Sequence, residues 1–144
     1  MRKMAILTCA LACMAIACQS NGSETVSSLK RTTWKLVGFV NVASGEVKEA
    51  EPASENCYLL SFNEDSTLSG TSSSNQLAGT YVFDEKKSSI HINIHQATLV
   101  TEAFDGNQYL DALNVVQSFL LHKDELRLYY NDQKEYLFFK LQKS

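Results

Sequence analysis

The feature that most restricts this chain is period-two alternation of apolar and polar residues, interrupted by short polar turns. Ile90, Ile92 and Ile94 alternate with His91, Asn93 and His95, and Leu126, Leu128 and Tyr130 alternate with Arg127, Tyr129 and Asn131. A strand sends successive side chains to opposite faces, so each run predicts a strand with one buried and one wet face. Further strands are expected at residues 34–40, 58–62, 67–71, 79–83, 116–121 and 136–141. The turns are charged and brief: Asn63-Glu64-Asp65-Ser66, Asp84-Glu85-Lys86-Lys87, His122-Lys123-Asp124-Glu125 and Asn131-Asp132-Gln133-Lys134. Connections of this length suit antiparallel hairpins and are too short for parallel crossovers.

One segment breaks the alternation. Asp105-Gly106-Asn107-Gln108 reads as a capping box, with Asp105 as N-cap and Gln108 reaching back, and Leu110 and Leu113 then share a helical face. A short helix is expected over residues 106–113. The expected fold is α+β and β-rich, mostly an antiparallel meander sheet with that one helix inserted.

Ahead of the alternating region the chemistry is different. Arg2 and Lys3 precede an uncharged, mostly apolar run from residue 4 to 17 that ends in Ala15-Ile16-Ala17 and is followed by Cys18. The run is short of the roughly 20 residues that cross a bilayer, and it has the order of an export signal: cations, apolar core, small residues. A cysteine directly after the small residues resembles a bacterial lipoprotein signal, in which the thiol takes a diacylglyceryl group. Ala15 stands where such boxes usually carry Leu, and Leu11-Ala12-Cys13 offers a rival box with a shorter core. Simple secretion and a retained membrane helix are the competing readings. The expected organisation is a signal peptide at 1–17, a lipidated Cys18 with a Ser-, Asn- and Thr-rich tether at 18–31, and one domain at 32–144. Acyl chains contribute about 0.8 kcal/mol per buried CH₂, so two or three would hold a small domain on a membrane. The expected location is the bacterial cell envelope, lipid-anchored at the outer membrane, on its periplasmic face or at the cell surface.

Loss of residues 1–17 removes Arg2 and Lys3, so Lys+Arg falls from 13 to 11 while Asp+Glu stays at 16, and net charge moves from −3 to −5. That balance argues against a nucleic-acid partner. Cys9 and Cys13 leave with the leader and Cys18 is acylated, so Cys57 is left without an intrachain disulfide partner.

No reaction is spelled out by the remaining residues. His91 and His95 have zinc-like spacing only on a helix; along a strand four residues span about 13 Å, too far to share a metal. Cys57 has no surrounding catalytic motif and reads as a packing residue. The pairs Glu64-Asp65, Asp84-Glu85 and Asp124-Glu125 read as solvated turn formers, and Ser72-Ser73-Ser74 lacks a nucleophile elbow. No phosphate loop, C-x-x-C or H-E-x-x-H is present, so no catalytic residue, cofactor or metal is assigned. Asn75, Gly79 and Tyr81 are candidates for either a turn frame or an interaction rim. Tyr129 falls opposite Leu128 and Tyr130, and a wet-face aromatic cluster there is a candidate binding surface.

From Trp34 to Leu141 the order of motifs resembles the META (HslJ-like) domain family. The residues that carry the resemblance are Trp34-Lys35-Leu36, the run from Phe62 to Gly70, Ser74-Asn75 leading to Gly79-Thr80-Tyr81, then Thr98, Tyr109, Leu113, and the final hairpin from Leu126-Arg127-Leu128 to Tyr136-Leu137-Phe138. Family members often carry Gly-Cys-Asn where Ser73-Ser74-Asn75 stands here, and a second cysteine near Glu102; both cysteines are missing. The resemblance implies a filled core and an envelope role without established enzymatic activity. The expectation is a non-enzymatic, lipid-anchored envelope protein with a protein or other envelope component as partner. The alternative is a lipocalin-like carrier of a small apolar ligand, which needs an internal cavity.

Overall fold

A computed structural model describes residues 28–143. Cys18, the leader and most of the tether lie outside the described residues. The elements follow in the order β1 (Thr32–Asn41), β2 (Val47–Glu49), β3 (Leu59–Phe62), β4 (Thr67–Thr71), β5 (Gln76–Asp84), β6 (Ser89–Gln96), α1 (Gly106–Asn114), β7 (Ser118–His122), β8 (Glu125–Tyr130) and β9 (Glu135–Leu141). All neighbours pair antiparallel, in the order β2-β1-β3-β4-β5-β6-β7-β8-β9. The protein is thus β-rich, with one large antiparallel sheet and one short helix.

The meander closes on itself. β9 pairs with β1 from Trp34↔Leu141 to Asn41↔Glu135, which turns the sheet into a barrel. One edge of β1 is shared, with β3 along residues 32–35 and β2 along residues 38–40. A register shift between Leu36 and Gly38 separates the two stretches. β2 was not expected: its three residues are all exposed and carry no alternation.

Alternation decides what faces inward. Leu60 and Phe62, Ile90, Ile92 and Ile94, Leu126, Leu128 and Tyr130, and Leu137 and Phe139 are buried, while the residues between them are half-buried or exposed. Trp34, Tyr58, Phe62, Tyr81, Tyr109 and Phe139 are 0–2% exposed and fill the interior. Three of the four polar tips have partners: Trp34 Nε1 donates to Thr32 Oγ1 at 2.7 Å, Tyr81 Oη to the Asn63 carbonyl at 2.7 Å and Tyr58 Oη to the Glu51 carbonyl, while the Tyr109 hydroxyl has none among the described residues. Leu29, in the stretch read as a solvated tether, is fully buried in this core.

The barrel has one weak seam. β6 and β7 share the single pair Ser89↔Ser118, extended by Ile90 N–H to the Gln117 carbonyl and Phe119 N–H to the Ser88 carbonyl. Beyond it β6 keeps β5 on one edge, but its other edge has no strand partner and would present unpaired amides. Helix α1 fills that gap with Tyr109, Ala112 and Leu113, and Asn114 Oδ1 accepts the Ile94 N–H at 2.9 Å. Asp105 makes no side-chain cap, contrary to the capping-box reading. Its carboxylate instead accepts from the Glu51 N–H at 2.9 Å and Lys48 Nζ at 2.5 Å, tying the helix start to the segment after β2. Burial alone would raise the Asp105 pKa; these contacts outweigh it and lower the value.

Strand direction sorts the loops into two groups. Residues 28–31 and the turns at 63–66, 85–88 and 123–124 lie at one end, while residues 42–46, 72–75, 97–105, 131–134 and α1 lie at the other. The tether therefore joins the end opposite the helix.

Candidate functional site

The helix-capped end is built around one carboxylate. Glu102, in the connection from β6 to α1, accepts from Ser72 Oγ at 2.5 Å, Ser73 Oγ at 2.6 Å, Asn75 Nδ2 at 2.6 Å, Gln96 Nε2 at 3.0 Å and the Ser74 N–H at 3.3 Å. Partial burial would raise its pKa, but the hydrogen bonds from Ser72, Ser73, Asn75 and Gln96 prevail and bring it from 4.5 to about 2. Asn75 completes the staple. Buried to 3% exposure, it donates to the Val100 carbonyl at 2.7 Å and accepts from the Val100 N–H at 2.8 Å and Thr98 Oγ1 at 2.9 Å. Gly106 is required by the same arrangement, because a Cβ there would collide with the Glu102 carboxylate and Ser73 Oγ.

The staple fixes a loop that displays apolar side chains. Leu99 is 91% exposed, Phe104 73% and Val100 58%, although Ala103 N–H is held by Ser73 Oγ and Ser74 Oγ and Val100 by Asn75. Large side chains left in water on an ordered loop mark a contact surface more strongly than the same residues on a strand.

A second feature of this end is a cleft of about 780 Å³ between α1 and the β8–β9 hairpin. Asp111, Asp132 and Glu135 line it, over apolar surface from Ala112 and Val115 and the edge of Tyr130. The turn beside it holds Asn131, Asp132 and Gln133 in successive left-handed conformations, with φ of 51°, 52° and 62°.

The residues singled out from sequence scatter. Asn75 belongs to the staple, with backbone φ outside the left-handed region. Gly79 packs against β6, where a Cβ would strike the Asn93 carbonyl, and Tyr81 is a core residue in edge contact with Phe62. Tyr129 lies on the outer barrel face, 5.1 Å from Tyr136, which in turn lies under the Arg127 guanidinium at 5.1 Å and 6.5 Å from Phe138. His91 and His95 are exposed on β6. Cys57 is half-buried with Sγ 3.5 Å from the Ser73 carbonyl, and among the described residues no group of three His, Cys, Asp or Glu is placed to hold a metal. Sequence reasoning missed Glu102, whose donors come from segments 6 to 30 residues away, and the cleft, which exists only once the helix docks.

Comparison with known proteins places these observations. The family model described as Domain of unknown function (DUF4847) matches residues 24–143. A crystal structure of a DUF4847 family protein from Bacteroides vulgatus aligns with a TM-score of 0.63 at 19% identity, covering 78% of this chain and 94% of that one. An NMR structure of a protein from Burkholderia xenovorans aligns with the same TM-score at 16% identity, covering 96% of this chain and all of the other. A Tannerella forsythia protein named "Putative lipoprotein" is 23% identical over 133 residues, 88% of this chain and 85% of its own. These matches overturn the resemblance to the META family: the shared motifs are turn and strand vocabulary that antiparallel hairpins impose on unrelated chains.

Proposed function

Since this chain belongs to the DUF4847 family, we propose that it is a non-enzymatic, lipid-anchored protein of the cell envelope whose helix-capped end is an interaction surface. The observation that carries the reading is the stapled loop, which holds Leu99, Val100 and Phe104 in solvent at the end of the barrel opposite the tether. Anchorage is supported by the leader ending at Cys18 and by the lipoprotein name of the Tannerella forsythia relative. The eleven residue-to-residue steps from Cys18 to Leu29 reach at most roughly 35–40 Å, enough to clear lipid headgroups while keeping the barrel close to the membrane. The loop then faces away from the bilayer.

The chemistry at this end supports a non-catalytic role. Glu102 is held ionised by five donors, so it is a poor proton acceptor, and Ser72 and Ser73 direct their hydroxyls at it. A carrier of apolar ligands is disfavoured by the aromatic side chains that occupy the barrel interior. Anchorage is tested by feeding cells an alkyne-bearing palmitate: the full chain takes label and sediments with membranes, and Cys18→Ser abolishes both. Label that survives Cys18→Ser and disappears with Cys13→Ser contradicts the assignment.

A further inference from the structure

The displayed loop projects more than apolar surface. Leu99, Val100 and Phe104 stand out in solvent, and Val115, just past the end of α1, is exposed as well. Phe104 takes this position with φ of 49°, a left-handed backbone that bulky residues rarely adopt, so its ring is held outward against local preference. Convex apolar side chains on an ordered loop fit a partner that offers them an apolar recess.

The charge of the barrel is divided unevenly between its two ends. Around α1, the turns beside it and the start of β9, six carboxylates (Glu46, Glu102, Asp105, Asp111, Asp132 and Glu135) stand against Lys48 and Lys134, a net charge of −4. At the opposite end, residues 28–31 and the turns at 63–66, 84–88 and 122–125 carry five cations against six carboxylates, and the charges nearly cancel. The loop therefore lies in a negative field that the tether end lacks. Such a field selects partners by sign and speeds their approach.

Charge separates the candidate occupants. A second copy would bring the same negative end against this one. The chain's own residues 18–27 hold no lysine or arginine and lead into the opposite end. An anionic bilayer or a nucleic acid is repelled by the field. We infer that the loop docks a basic protein surface, one in which the apolar residues that receive Leu99, Val100 and Phe104 are flanked by lysine or arginine facing the carboxylates around α1. The inference names the class of partner for the interaction surface proposed above and rests on that reading.

The test places a photoreactive phenylalanine analogue at position 104 of the full chain, cross-links in isolated native membranes, and sequences the joined segment by mass spectrometry. The expected adduct is a segment of another protein with apolar residues beside lysine or arginine. Its yield is expected to fall about fivefold as salt is raised from about 0.05 to 0.5 M, because screening shortens the reach of the field. Glu46→Lys combined with Asp111→Lys, two exposed positions outside the staple, brings the net charge of this end to about zero and is expected to lower the yield by a similar factor. Lys86→Glu with Lys87→Glu, an equal change of charge at the tether end, is expected to leave it unchanged. An acidic or uncharged segment, an adduct to lipid or to a second copy, or a protein adduct unmoved by salt and by the lysine variant overturns the inference. A protein adduct that fails only these charge tests leaves the interaction reading standing, whereas absence of any adduct removes both.

Discussion

Replacing Glu102 by Gln tests the staple with almost no change in shape. A glutamine resembles the protonated acid, so the variant loses the energy that ionisation brings to the folded state. A fall in pKa from 4.5 to about 2 corresponds to an upper bound of roughly 3 kcal/mol. Glu102 is only partly buried, and solvent screening reduces the figure to about 1.5–2 kcal/mol. Because the folded pKa lies below the unfolded one, this stability is fully present above pH 4.5 and is lost as pH falls toward 2. Urea unfolding of wild type and Glu102→Gln across this range isolates the site, since other carboxylates titrate equally in both proteins. The difference is expected to be about 2 kcal/mol at pH 7 and to shrink toward zero near pH 2. A difference that stays constant with pH, or none at pH 7, refutes the assignment of Glu102 as an ionised staple.

Two further substitutions test the barrel. Asn114→Ala leaves the Ile94 N–H on the β6 seam without its 2.9 Å acceptor; it is expected to cost about 1–2 kcal/mol and to speed hydrogen exchange at Ile94 ahead of the rest of β6. Tyr109→Phe removes a fully buried hydroxyl that has no partner among the described residues, and is expected to stabilise the protein by about 1 kcal/mol, seen as a rise in Tm of a few degrees.

The strands were legible because each has one wet face, and wet-face alternation is a property of short windows. Residues 67–71 needed nothing beyond themselves to be read as β4, and the helix followed from Leu110 and Leu113 on one face. Closure of the barrel was not legible, because the pairing of Leu36 with Phe139 joins residues about a hundred positions apart and leaves no local mark. Asp105 was misread for a related reason: its position before a helix is a local signal, but Lys48 and the Glu51 amide compete for the carboxylate and prevail. Leu29 looked like part of a polar spacer because its neighbours are serines and cations, and only the fold shows it inside the core. Glu102 and the cleft depend entirely on segments that meet after folding. Asn75 was visible as a notable residue, yet its role as the clasp on residues 98–100 comes from a loop 25 residues away.

The claim that the helix-capped end meets a partner while the tether end faces the membrane is tested most directly by photo-cross-linking in living cells. A photoreactive amino acid is placed at Leu99 or Phe104 on the displayed loop, and at Lys86 in the exposed turn at the tether end. The account predicts a discrete protein adduct from positions 99 and 104, none from 86, and loss of the adduct when Glu102→Gln loosens the loop. Equal adducts from all three positions, or from 86 alone, would contradict it.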